Sequence, residues 1–212
     1  VCKYQPAYRL LGTMSRQAAS NQIDTMNEGF KCIGTYGFNS SLRVMLGLVL
    51  AAAFSKKGKT LFVNLDEFSG IEHIMGCDGL RNLSDALYMY KQSGLQYSDN
   101  LRQCICHTDQ FDYIPAVACA DDISYTGDEL LIKFIKAVAY KEEYEYVVIN
   151  ISEGIRRPWR IMEKCSVTYV SDSGEYIEGC RFNSLKRYLI ENDMEETAGN
   201  IIRVNLKTRE DI

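Results

Sequence analysis

Apolar residues follow two alternating rhythms along this chain. Five short, nearly unbroken apolar runs have strand length: Phe30 to Tyr36, Thr60 to Leu65, Tyr146 to Ile151, Val167 to Val170 and Ile201 to Leu206. Between them lie segments with helical spacing. Leu42 to Phe54 is almost wholly apolar and predicts a buried helix, with Lys56, Lys57 and Gly58 as its cationic last turn and terminal glycine. Thr126 to Lys141 places Leu130, Leu131, Phe134, Ile135 and Val138 on one face, and Tyr176 to Glu191 turns Phe182, Leu185 and Leu189 inward. Ser84 predicts the cap of a helix running to about Gln92 and ended by Gly94. Leu101 to His107 and Phe111 to Pro115, split by Thr108-Asp109-Gln110, predict two neighbouring strands. Strands alternating with helices predict an α/β fold of three layers, a mostly parallel sheet flanked by helices on both faces.

Near the start, Tyr8, Leu10, Leu11 and Met14 give Pro6 to Ala19 a helical spacing, followed by a polar stretch from Ser20 to Glu28. The expected division is a terminal helix and linker over 1–28 and one domain over 29–212. The start at Val1 reads as a cut, with no secretion-signal layout around it. The longest apolar run, Val44 to Phe54, is too short to span a bilayer, so no membrane span is expected.

Composition narrows the picture modestly. A formal net charge of -4 argues against a general nucleic-acid-binding surface, while leaving room for a local basic patch. The eight cysteines contain no CxxC pair, a usage that suits thiols in a reducing cytoplasm. Cys104-Ile105-Cys106-His107 could donate metal ligands but lacks a second ligand pair, so buried strand cysteines are the better reading and no metal site is assigned.

The loop between the first strand and its helix is where an open parallel sheet usually seats phosphate. Here it reads Gly34-Thr35-Tyr36-Gly37-Phe38-Asn39-Ser40-Ser41-Leu42. A working phosphate loop needs glycines whose amides curl round the anion, a lysine, and a hydroxyl for magnesium. This loop offers little of that. The start of the helix at Asn39 to Ser41 could still present unpaired amides and a positive dipole end to an anion. A plain turn capping a buried helix, needing no ligand, explains the same residues. Arg43 reads as a surface arginine on the first helical turn, or as a source of some positive charge.

The region from Phe30 to Gly70 resembles the deviant Walker A strand, loop and helix of the ParA/MinD superfamily, whose pattern is Lys-Gly-Gly-x-Gly-Lys-Thr followed by Ser or Thr. Laid residue on residue, Tyr36 falls at the signature lysine, Gly37 keeps the first glycine, and Phe38 and Ser40 replace the next two. Ser41 replaces the phosphate lysine, and Leu42 stands at the magnesium-holding threonine. Thr60 to Asp66 resembles the second strand, which normally ends Asp-x-Asp, and only Asp66 survives. Tyr146 to Asn150 is similar to the Walker B strand, with Asn150 where an aspartate should engage the hydrated metal. Two distant motifs have thus lost complementary parts of one metal-phosphate site.

The resemblance implies a P-loop NTPase-like fold of the ParA/MinD type without catalytic residues. A degenerate nucleotide site would comprise Gly37, Phe38, Asn39, Ser40, Ser41, Leu42, Asp66 and Asn150, with Asn205 at the adenine, and would hold ATP or ADP without efficient hydrolysis if it holds them at all. An equally simple reading makes Asn205 a turn former. Lys3 to Pro6, Asn64 to Gly70 and Leu83 to Leu87 look most like the TadZ/CpaE-type proteins of pilus assembly. That likeness implies a cytoplasmic, usually dimeric protein that binds partners of a pilus or secretion machine, with 1–28 as the end of an upstream receiver-like domain.

Other constellations carry less. Asp121-Asp122 and Glu142-Glu143 read as solvated charges rather than acid/base dyads, and Glu153 as a loop carboxylate that could contact a ligand. Trp159 among Arg156, Arg157 and Arg160 is either an anion or partner contact or a packed aromatic beside solvated arginines. That cluster motivates a DNA-associated alternative, opposed by the net charge. The tail Lys207 to Ile212 is too short and polar for an amphipathic membrane helix.

Overall fold

A computed structural model describes residues 29–76 and 81–206. The expected Pro6 to Ala19 helix, the 1–28 segment and the 207–212 tail lie outside the described residues. Strand β1 (Lys31–Gly37) leads into α1 (Ser40–Phe54) and β2 (Thr60–Asn64), followed by α2 (Ile71–Met75), α3 (Leu83–Gln92) and α4 (Asp99–Arg102). The middle of the chain gives β3 (Cys106–His107), β4 (Asp112–Ile114), α5 (Ala120–Tyr125), α6 (Asp128–Lys141) and β5 (Tyr146–Asn150). It closes with α7 (Pro158–Met162), β6 (Val167–Asp172), α8 (Tyr176–Glu191), α9 (Glu195–Gly199) and β7 (Ile201–Asn205).

The strands form one sheet in the order β3-β4-β2-β5-β1-β6-β7, parallel throughout except for the β3–β4 pair at one edge. Each central strand sends successive side chains to opposite faces, and that alternation divides the core. Cys32, Leu61, Val63, Val147 and Ile149 join α3, α6 and the Leu189 turn of α8 on one face. Ile33, Phe62, Val148 and Tyr169 join Val44, Leu46, Leu50 and Phe54 of α1 on the other. The three-layer, mostly parallel architecture expected from the apolar rhythm is therefore present. Among the described residues no helix is long and apolar enough to cross a membrane.

Local expectations needed correction where tertiary contacts overrode the pattern. The α3 cap is Asn82, whose Oδ1 accepts from the Ser84 and Asp85 amides, while the Ser84 hydroxyl accepts from the Ala118 amide at 3.1 Å. Leu101 belongs to the short helix α4, so β3 shrinks to two residues. Helix α1 ends at Phe54, and its lysines lie beyond the last turn. Glu142 is buried rather than solvated, accepting hydrogen bonds from Tyr97 Oη and Arg102 Nε. Cys106 is disulfide-bonded, which departs from the expectation of thiols throughout, whereas Cys104 is a buried free thiol.

Candidate functional site

The carboxyl ends of β1, β2 and β5 meet in register, Thr35 opposite Asn150 and Asn150 opposite Asn64. All three side chains are fully buried. Asn150 Nδ2 donates to Asn64 Oδ1 at 2.7 Å, and the Thr35 hydroxyl donates to Asn150 Oδ1 at 3.3 Å. Asn64 Nδ2 in turn donates to Ser69 Oγ at 2.6 Å, and its Oδ1 accepts from the Asp66 amide. The two positions that carry aspartates in the family pattern thus form a neutral amide chain that knits three strands to the loop after β2. An amide supplies both donor and acceptor, so this chain satisfies itself without a metal. Among the described residues no group of three His, Cys, Asp or Glu side chains is placed to hold one.

Arg43 departs most from expectation. It is 3% exposed, not a surface residue. Its Nη1 donates to the Gly37 carbonyl at 3.0 Å, and its Nη2 makes an ion pair with Asp66, itself buried. The guanidinium therefore bridges the end of β1 and the loop after β2, and it neutralises the one acidic residue of the degenerate motifs. Arginine suits this position because its rigid fork serves two acceptors at once. Its Nε has no hydrogen-bond partner among the described residues.

The loop itself is built for packing. A Cβ on Gly37 would lie 2.0 Å from Ser171 Oγ, so this glycine permits close approach of β1 to β6. Tyr36 is buried and sets its ring edge-on to Phe38 at 5.6 Å, and the Arg181 guanidinium lies over Phe38 at 5.3 Å. Burial, reinforced by the Glu153 carboxylate, pushes the Tyr36 phenol up to about 12 despite Arg43 and Arg181, so it is neutral where the family has a charged lysine. Asn39 caps α1, its Oδ1 accepting from the Leu42 amide at 3.1 Å. Ser40 and Ser41 are exposed, Leu42 is half-buried, and no acid occupies the first turn of α1.

The remaining sequence-predicted residues fall around this centre. Asn205 ends β7 opposite Asp172 on the same sheet edge, two strands or about 10 Å from β1. Glu153 is exposed, and beside it the Ser152 hydroxyl donates to Glu67 Oε2 at 2.7 Å. Trp159 is half-buried against Tyr188. Arg157 is paired with Asp128 and Arg160 with Glu163, both at 2.7 Å, so two of the three clustered arginines are compensated.

Sequence reading missed Asp172, which pairs with Arg203 and accepts from the Gly174 amide at 2.9 Å. Burial alone would raise its carboxyl, but Arg203 and the amide outweigh burial and hold it below the usual carboxylate range. A depressed acid contributes stability above its unfolded value and loses it as pH falls through the folded one. Asp172→Asn is therefore expected to flatten the fall of melting temperature between about pH 5 and pH 2; an unchanged acid limb would contradict this.

No protein-family model matches the sequence, and no curated protein is detectably similar to it. Solved structures do match its fold. A putative plasmid partition protein from Borrelia burgdorferi B31 bound to AMPPNP superposes with a TM-score of 0.63 at 15% identity, over 86% of this chain and 76% of that one. A ParA family ATPase from Chlorobium tepidum gives 0.58 at 15% identity, over 84% and 85%. A chain of the MinC:MinD cell division complex from Aquifex aeolicus gives 0.56 at 13% identity, over 82% and 67%. The chain thus has the P-loop NTPase fold of ParA/MinD-type ATPases.

Proposed function

We propose that this protein is a non-catalytic relative of the ParA/MinD ATPases that acts as a localisation or assembly scaffold for a Tad-type pilus or secretion machine. The observation that carries the non-catalytic part is the Arg43 guanidinium, held against Gly37 and Asp66. Transfer of a phosphoryl group to water depends on magnesium and a lysine to offset developing charge. Here a fixed monovalent cation takes up the surviving carboxylate, while Ser41, Leu42 and Asn150 stand at the lysine, hydroxyl and aspartate positions. The TadZ/CpaE-like phrases around Asn64 to Gly70 and Leu83 to Leu87 support the pilus assignment, with cytoplasmic protein partners and a homodimer as its working form.

Purified protein is expected to show no magnesium-dependent ATP turnover. Turnover that copurifies with the protein and disappears in a folded Asp66→Asn variant would overturn the proposal. A second reading, a nucleotide-binding switch without turnover, is favoured by the exposed Ser40 and Ser41 at an α1 start with no acid in its first turn. Calorimetric titration with ATP and ADP separates the two: heat that persists without magnesium supports the switch, and none with either nucleotide supports the scaffold.

A further inference from the structure

Cys32, near the start of β1, and Cys165, in the segment between α7 and β6, bring their sulfurs to within 3.5 Å of each other inside the core. Both are free thiols, 0% and 2% exposed. Backbone pairing sets up the contact. The Ser166 amide donates to the Cys32 carbonyl at 2.8 Å, just before Ile33 and Val167 enter the parallel register of β1 with β6. Neighbouring strand backbones run about 4.8 Å apart, within the Cα separations of about 4.4–6.8 Å that a disulfide spans. Closing the sulfurs to a bond of about 2.05 Å therefore asks chiefly for side-chain rotation.

A buried cysteine by itself is inert, because oxidants rarely reach it. A pair behaves differently: once one sulfur has reacted during a transient opening, the other is already placed to attack it. The surroundings keep the two together. Cys165 Sγ donates to the Ile161 carbonyl at 3.3 Å, and a Cβ on Gly34 would lie 3.2 Å from the same sulfur, so any side chain there would crowd it. The hydrogen bond with Cys165, and then burial, push the Cys32 thiol well above its ordinary range, so Cys32 rests in the thiol form. The chain also accommodates a disulfide elsewhere, at Cys106.

We propose that Cys32 and Cys165 form a peroxide-sensitive pair that closes to a disulfide and staples the start of β1 to the segment after α7. Hydrogen peroxide is the oxidant, small enough to enter through a local opening. One thiolate attacks a peroxide oxygen, breaking the O–O bond and leaving a sulfenic acid and hydroxide. The second sulfur attacks the sulfenic sulfur and expels another hydroxide. The two protons given up by the thiols turn both hydroxides into water, so two thiols lose two electrons and one peroxide gains them. The bond joins positions 133 apart in sequence, and closing so long a loop restricts the unfolded chain strongly. Because β1 leads directly to Gly37, the oxidised form clamps the strand beneath the Arg43–Asp66 pair. The staple requires neither nucleotide nor partner, so it stands or falls separately from the scaffold reading.

To test it, the whole native chain is treated with N-ethylmaleimide to cap the exposed Cys119 and the half-buried Cys180, desalted, and exposed to hydrogen peroxide. Peptide mapping without reduction should show Cys32 linked to Cys165, with faster linkage in urea too dilute to unfold the protein. The melting temperature should rise by about 5–10 °C. Cys32→Ala and Cys165→Ala variants treated in the same way should show neither the linkage nor the rise, which separates the staple from methionine oxidation. The linkage is read in the parent chain, so a variant that fails to fold leaves the test intact. Both thiols still free once the methionines are oxidised, sulfinic acid at either cysteine without linkage, linkage to a different cysteine, or a linked protein that melts no higher than the untreated one would each overturn the proposal.

Discussion

Asp66→Ala is expected to lower the unfolding free energy by about 3–5 kcal/mol, because it leaves a buried guanidinium without its counter-charge. Arg43 and Asp66 have side-chain exposures of 3% and 8%, so water cannot take over either role without opening the loop. The loss should extend beyond the pair. Asp66 Oδ1 accepts from the Phe68 amide at 3.3 Å, and Arg43 ties the same carboxylate to the end of β1. Removing both charges together, as Arg43→Met/Asp66→Leu, should cost far less than either change alone, since replacing a buried pair by apolar side chains is often neutral or better. Urea denaturation of Arg43→Met, Asp66→Leu and the double variant gives the coupling energy directly. Additive losses would mean that the guanidinium and carboxylate do not depend on one another, and the account of a sealed site would fail with them.

The sheet was legible because its signal is local. Strands β1, β2, β5 and β6 are buried on both faces or nearly so, and such strands announce themselves as unbroken apolar runs. The edge was less legible. Strands β3 and β4 hold only two and three residues, too few for a period to register, and the preceding helix α4 is a single turn. Helices α2, α5, α7 and α9 span five or six residues each and are fixed by what they pack on rather than by periodicity.

The site divides in the same way. Substitutions at Ser41, Leu42 and Asn150 could be read one position at a time against a known pattern. What fills the space they vacate could not, because the Arg43–Asp66 pair joins residues 23 positions apart through a side chain that looks like an ordinary first-turn arginine. A signal existed in principle: a lone surviving carboxylate in an otherwise neutralised motif needs a cation, and Arg43 is the cation that directly follows the phosphate-loop segment. The arginine cluster misled for the opposite reason. Arg157 and Arg160 look positive in sequence, yet Asp128 and Glu163, which neutralise them, lie on α6 and just beyond α7.

Restoring the Walker B acid by Asn150→Asp should destabilise the protein rather than repair it. The Asn150 amide nitrogen now donates to Asn64 Oδ1 at 2.7 Å in a fully buried position. A carboxylate there would face that carbonyl oxygen as a second acceptor, and Arg43 is already engaged by Asp66. Burying an unpaired charge is avoided by protonation, so the introduced acid should titrate above its unfolded value. Its penalty is then absent well below about pH 4, grows as pH rises through the unfolded value, and levels off above the folded one. By pH 7 the loss should reach about 2–4 kcal/mol, and millimolar magnesium should not reverse it, because Leu42 offers no hydroxyl and Asp66 remains bound to Arg43. Thermal melts of the parent and Asn150→Asp across that pH range, with and without magnesium, test both halves. A magnesium-dependent gain in melting temperature would show that the amide chain had displaced a functional metal seat rather than replaced it.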